Sequence, residues 1–303
     1  MEFRPEQGAV FDLSSRAKLR ITGADRIRYL NGQITNDLRK AAPNVAIHAC
    51  VLSAKGRINA DVFVVTDAES FLIDTEPEMR EQLAARLERY IIADDVQIED
   101  VTDEFALLHV LGGETSLWPA EGKVAQAERF GYAGTDIWVS RSEHDAALQG
   151  LAARLPICDE SCAETLRVER GIPRWGRELT EEIIPTEANL EANAIDYGKG
   201  CYIGQEVISR IKMSGQTNKR LCGFVSVSQM PLKAGMRLMT TVGEVKDIGW
   251  ITSVTDSSRL AKQIALGFVK RGFQDPGTRL EARSAESSLA SPVLVEITPL
   301  PFW

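Results

Sequence analysis

From residue 221 onward the chain is cut into six short strand-like runs, 221–227, 235–242, 248–255, 264–270, 279–282 and 293–297, separated by Gly, Pro, Ser and Asp. Runs this short, each closed by turn residues, predict a small β-barrel or sandwich. The earlier part reads differently. Ile27, Leu30, Ile34 and Leu38 recur at helical spacing and predict a helix over 24–38, and 46–52, 62–66 and 71–74 read as strands. Pro77 opens a helix with Met79, Leu83 and Leu87 on one face, and 105–111 and 137–140 read as further strands. Ser142 with Asp145 has the spacing of a capping box ahead of Leu148, Leu151 and Leu155. Strands and helices mix without a regular βαβ beat, so the fold class is α+β rather than doubly wound. The expected boundary lies near 217–220. It leaves an α+β region over 1–218, long enough for two subdomains, and a β-barrel over 219–303.

Composition removes several function classes. Hydrophobic residues make up 44% and charged residues 26% of the 303, so the chain can bury a large core. No apolar run approaches the ~18 residues that span a bilayer, and residues 1–8 carry charges where a secretory segment would be apolar. The expectation is a cytoplasmic protein with no membrane contact. Its five cysteines lack a Cys-x-x-Cys pair, which argues against a disulfide framework or a zinc ribbon and for thiol chemistry. Phosphate-binding, dinucleotide and nucleophile-elbow signatures are absent. The three histidines, His48, His109 and His144, stand at no metal-ligand spacing and read as structural or surface residues, so no metal site is expected. Cys158 and Cys162 lack the further thiolates a cluster needs.

A net charge of -8 makes the chain a poor general binder of polyanions. Residues 207–243 nevertheless contain no Asp or Glu, while Arg210, Lys212, Lys219, Arg220, Lys233 and Arg237 fall there. The window is either an anion-attracting face or an ordinary solvated surface. The most informative stretch is 166–206. Its glycines and prolines forbid one long helix and set Glu169, Glu178, Glu187 and Glu206 at bends. Gly198 and Gly200 flank Lys199 and precede Cys201, a pattern that holds a thiol beside an ammonium and lowers its pKa, the alternative being a small buried hydrophobe.

Lys199-Gly-Cys-Tyr-Ile-Gly-Gln-Glu206 resembles the K-G-C-Y-x-G-Q-E signature of the YgfZ family, folate-binding relatives of the glycine-cleavage T-protein. Leu30-Asn-Gly-Gln-Ile-Thr-Asn-Asp37 is similar to the family's L-x-G-Q-x-T-N-D stretch, and Ser53-Ala-Lys-Gly-Arg-Ile-Asn-Ala-Asp61 to its G-R-x-x-x-D segment. Gly131-Tyr-Ala-Gly134, the L-R-x-E-x-G element at 166–171 and the P-x-E-x-x-L element at 185–190 resemble T-protein segments.

The resemblance implies a T-protein-like folate-binding fold followed by a small barrel, tetrahydrofolate as cofactor, and a part in making or maintaining iron–sulfur enzymes, including tRNA-thiolating ones. The 2-amino-4-oxo edge of a pterin presents adjacent N–H donors, which a carboxylate accepts two at a time. Glu187, supported by Glu169, is the candidate; Tyr132 would pack on the ring and Asp61 would lie near the one-carbon side. Cys201 would act as nucleophile or as a transient ligand of a metal or sulfur species, with Lys199 tuning it. Arg210, Lys212 and Lys219 would hold an anion, above all the polyglutamate tail of cellular folates, with an acidic partner or tRNA as alternatives. T-proteins carry an acidic pair where this chain has Ala60-Asp61, which weighs against the alternative of a tetrahydrofolate-dependent aminomethyl- or methyltransferase.

Overall fold

The computed structural model describes residues 7–42, 44–67, 69–112, 122–228, 230–284 and 291–303. It separates into two compact units: residues up to Glu160 with Leu190–Ser209, and Ser161–Asn189 with Arg210–Trp303.

The first unit is built on two five-stranded sheets. Its strands are β1 (Ala9–Asp12), β2 (Ala17–Thr22), β3 (Ile47–Leu52), β4 (Ile58–Thr66), β5 (Phe71–Thr75), β6 (Gln97–Asp100), β7 (Phe105–Leu111), β8 (Lys123–Ala127), β9 (Gly134–Ser140) and β10 (Ile157–Cys158). One sheet has the order β10-β1-β7-β9-β8 and the other β3-β4-β5-β2-β6. Helices α1 (Arg26–Gln33), α2 (Arg80–Glu88) and α3 (His144–Ala152) belong to this unit. Strand β7 shows why its sequence is apolar at every position but His109. Ala106, Leu108 and Val110 face a cluster with Leu151 and Leu155 beside α3, while Leu107 packs with Val65, Leu72 and Trp138 on the other side. Burial on both faces removes the polar alternation of a half-exposed strand.

The second unit contains α4 (Glu160–Arg170) from Ser161 on and a closed barrel of β11 (Lys219–Ser226), β12 (Arg237–Thr240), β13 (Asp247–Ser257), β14 (Lys262–Lys270), β15 (Arg279–Arg283) and β16 (Val293–Thr298). The strands close in the order β11-β14-β13-β12-β15-β16. The six runs read from the sequence are these six strands. Alternation fixes the inward face: Val293, Val295 and Ile297 of β16 enter the core with Phe224, Leu238, Ile251 and Leu280. Gly249 is required because a Cβ there would stand 2.1 Å from the Phe268 carbonyl oxygen. Helix α5 (Gln205–Ser214) joins the two units along the chain. The fold is mixed α+β with a closed C-terminal barrel.

Two local expectations are corrected. The capping box is Ser140 with Glu143, not Ser142 with Asp145: Glu143 Oε2 accepts the Ser140 N–H at 3.2 Å. Both pairs have the required spacing, and the end of β9 decides between them by placing Ser140 in extended backbone. The first helix stops at Gln33 rather than 38, because Ile34 turns extended and bridges to Val51. Among the described residues no helix is long and apolar enough to cross a membrane.

Candidate functional site

Three of the sequence motifs meet in the first unit. The Lys199 ammonium donates to the main-chain oxygens of Asn31, Ile34 and Asn36 at 2.7, 2.7 and 2.6 Å, and so ties the 199–206 motif to the end of α1. The Ile203 N–H donates to the Gly32 oxygen at 3.1 Å. Gly204, with φ +86°, lies so close to the third motif that a Cβ would stand 2.7 Å from the Ser53 oxygen, and Gly56 is similarly pressed against Val207. Both glycines are in the left-handed region, where a side chain is also strained.

Cys201 stands at the exposed tip of this assembly, whereas the other two free thiols, Cys50 and Cys222, are buried. Burial, with the Asp61 charge, pushes the Cys50 thiol well up, and burial pushes Cys222 up to about 11 against the nearby Arg220. Cys158 and Cys162 are disulfide-bonded, which the cysteine spacing did not announce. A native-state thiol-reagent assay is expected to find one fast-reacting sulfur per chain, absent in Cys201→Ser; rapid labelling of that variant would contradict the burial of Cys50 and Cys222.

Lys199 acts through position. Its three N–H donors are all taken by main-chain carbonyls, leaving none for the Cys201 sulfur. Burial pulls the ammonium down to about 8, opposed by the charges of Asp37 and Asp196. The ammonium also lies 5.1 Å from the Tyr202 ring centroid.

Asp61 lies on β4 with its Oδ1 2.6 Å from His48 Nε2. His48, which sequence reading set aside, faces Phe63 across the β3–β4 ladder, two residues from Asp61. The register of that hairpin would have been the signal, and a bulge between Val51 and Leu52 hides it. Tyr132 follows the left-handed Gly131 and is half-buried, with its hydroxyl oxygen inaccessible.

In the second unit Glu187 sits in the turn Pro185–Ala188 and is 6% exposed. Its Oε2 accepts the Ile184 N–H at 3.2 Å and lies 3.7 Å from Lys219 Nζ. Lys219, read beforehand with the anion-binding residues, thus points to a carboxylate and stands 5.5 and 5.8 Å from the Trp250 and Phe268 ring centroids. Arg210 and Lys212 are exposed on α5. Glu169 accepts from Ser257 Oγ at 2.5 Å, which anchors it to β13. Glu178 is fully buried; it accepts from Arg167 at 2.9 Å, Thr252 at 2.5 Å and Ser253 at 2.7 Å, a structural role.

Comparison with known proteins places this arrangement. Residues 4–117 match the GCVT N-terminal domain, and residues 219–303 match the glycine cleavage T-protein C-terminal barrel domain. The chain belongs to the glycine-cleavage T-protein superfamily. An aminomethyltransferase of Streptomyces coelicolor is 27% identical over 98% of this chain and 87% of that protein. A mitochondrial iron–sulfur cluster assembly factor IBA57 homolog of Dictyostelium discoideum is 26% identical over 70% of this chain and 61% of that protein. The crystal structure of glycine cleavage system aminomethyltransferase T from Bartonella henselae has a TM-score of 0.84 at 17% identity, covering 98% of this chain and 86% of that one, and establishes the shared fold. Aminomethyltransferases and folate-binding relatives of the superfamily use tetrahydrofolate as substrate or cofactor. The donor chemistry here suits that group. Glu187 is a buried, acceptor-only carboxylate on a turn that fixes its backbone, and a reduced pterin presents adjacent donors.

Proposed function

We propose that this protein binds tetrahydrofolate and, through the Cys201 thiol, supports the assembly or repair of iron–sulfur enzymes and indirectly tRNA modification. One observation carries the reading: three motifs are locked together by Lys199, Gly204 and Gly56 around a loop whose product is a single exposed thiol. A sulfur that served only packing would be buried, as Cys50 and Cys222 are. Glu187 would hold the pterin edge, and Glu169 would brace the segment from the barrel. Arg210 and Lys212 would meet the polyglutamate tail, with Lys219 shared between that role and Glu187. When bound, tetrahydrofolate supplies a carrier for one-carbon units. The exposed sulfur is a nucleophile for such a unit, or a transient holder of a metal or sulfur species passed to an iron–sulfur enzyme or assembly factor.

The similarity to the IBA57 homolog supports this reading, and so does Ala60, fully buried in β4 where the T-protein resemblance implies an acid. Similarity to aminomethyltransferases over 98% of the chain favours a second reading, transfer of an aminomethyl group to tetrahydrofolate. The test is complementation. In a strain lacking this protein, Cys201→Ser is expected to bind folate yet fail to restore iron–sulfur enzyme activities. Full restoration would remove the thiol from the account, and many turnovers of a folate substrate by the purified protein would establish the transferase instead.

A further inference from the structure

The outer wall of the barrel carries a row of side chains that its core does not require. Leu238 of β12, Ile251 of β13 and Val269 of β14 enter the core. Their neighbours Arg237, Trp250 and Phe268, which oppose one another across those three strands, therefore point outward. Two positions beyond Phe268, Lys270 stands on the same face, directly opposite Lys219 of β11. Like charges set opposite each other weaken a ladder, so a lysine pair there favours an anion between them.

Trp250 is partly exposed, and its ring lies 5.3 Å from that of Phe268 at an angle of 34°. Lys219 Nζ and the Arg237 guanidinium carbon are each 5.5 Å from its centroid. Lys219 Nζ is also 3.7 Å from Glu187 Oε2, so a single ammonium bridges the carboxylate and the indole. Arg237 is paired with Asp247 at 2.7 Å, whereas Lys270 donates to the Asp247 main-chain oxygen at 2.9 Å. Three cations thus face two carboxylates, which leaves an excess of positive charge around a flat ring. All of these residues belong to the second unit.

A reduced folate carries three groups in a row: a pterin rich in N–H donors, a p-aminobenzoyl ring and the glutamate carboxylates. The face offers a complement to each. We propose that Trp250 and Lys270 extend the folate site onto the outer wall of the barrel, the benzoyl ring packing on the indole and the first glutamate meeting Lys270 and Lys219. This rests on the reading that Glu187 grips the pterin. As the pterin donors replace Lys219 at Glu187, the ammonium turns to a ligand carboxylate. A bare pterin reaches Glu187 alone, so the wall selects pteroylglutamates over free pterins.

The test is calorimetric titration of the full chain with tetrahydrofolate and with 6-methyltetrahydropterin, which lacks the benzoylglutamate arm. The wild type is expected to bind tetrahydrofolate at least tenfold more tightly than the pterin, from one aromatic contact together with the carboxylate contacts. Trp250→Leu is expected to lose about five- to tenfold for tetrahydrofolate and nothing for the pterin, and Trp250→Phe, which keeps a flat ring, to recover most of the loss. Lys270→Gln, a change at an exposed side chain that leaves the barrel core untouched, should cost about threefold for tetrahydrofolate alone. Equal affinity of the wild type for the two ligands, wild-type affinity of Trp250→Leu for tetrahydrofolate, or equal losses for both ligands would overturn the proposal while leaving folate binding intact. No binding of tetrahydrofolate by the wild type would overturn the folate reading and this proposal with it.

Discussion

Arg129→Leu is expected to lower the stability of the first unit by about 3 to 5 kcal/mol, the cost of leaving buried charge without its partner. The Arg129 side chain is 4% exposed and joins the two sheets: it donates to Asp74 of β5 at 2.9 and 2.6 Å and to Asp136 of β9 at 2.8 and 2.7 Å. Arg16 also pairs with Asp74, and His109 lies 2.8 Å from Asp136. With Glu76, which Arg16 also pairs, two arginines face three carboxylates, and removing Arg129 widens the excess of acid. Melting followed by circular dichroism should show a drop on the order of 10 °C. A loss below about 1 kcal/mol would mean that other contacts hold the sheets together.

The sign of the pH dependence follows from the same pair. Burial alone would raise the Asp136 carboxyl; the Arg129 charge and the hydrogen bonds from His109 and Arg129 override it and hold it at about 2. Its folded value lies below the unfolded one, so the stability it contributes is complete above about pH 4 and is lost as pH falls through 2. In Arg129→Leu burial wins, and the folded protein takes up protons at a higher pH. The deficit against the wild type is therefore expected to be largest near neutrality and to shrink on acidification.

Lys199→Met is expected to cost about 3 kcal/mol, because three carbonyl oxygens at the end of α1 lose charge-assisted donors at once. The melting temperature should fall by roughly 6 to 12 °C. The more telling readout is the thiol. With the clamp gone, the labelling rate of Cys201 is expected to change while Cys50 and Cys222 stay protected. Lys199→Arg should not restore the wild type, since a planar guanidinium cannot direct its donors to three oxygens converging on one ammonium. The folded value of Lys199 lies below the unfolded one, so the wild type gains stability as pH rises from about 8, and its difference from Lys199→Met should widen there. Unchanged stability and labelling would show that the loop is held by Gly204 and the Ile203 hydrogen bond alone.

The barrel was legible because each strand buries one face and each turn carries residues suited to it, as in β16 with Val293, Val295 and Ile297 inward. Strands β1 and β2 escaped because four to six residues of mixed character, Ala9–Asp12 and Ala17–Thr22, carry too little pattern to stand apart. Helices α4 and α5 flank the bending segment, ending just before Gly171 and starting just after Gly204, so its glycines marked their edges without revealing them. At the site, the motif named Cys201 and Lys199, but the lysine's partners lie 163 to 168 residues away and no local spacing encodes them. The reach from Arg129 to Asp74, 55 residues apart, is hidden in the same way. His48 was passed over because a lone histidine has no signature until a neighbouring strand sets its register.

The account stands most directly on a calorimetric titration of the purified protein with tetrahydrofolate, run beside Glu187→Ala. It predicts one ligand per chain for the wild type and an affinity weaker by roughly ten- to a hundredfold for the variant, the penalty for leaving ligand donors unpaired. Absence of binding by the wild type, or equal affinity in the two proteins, would contradict it.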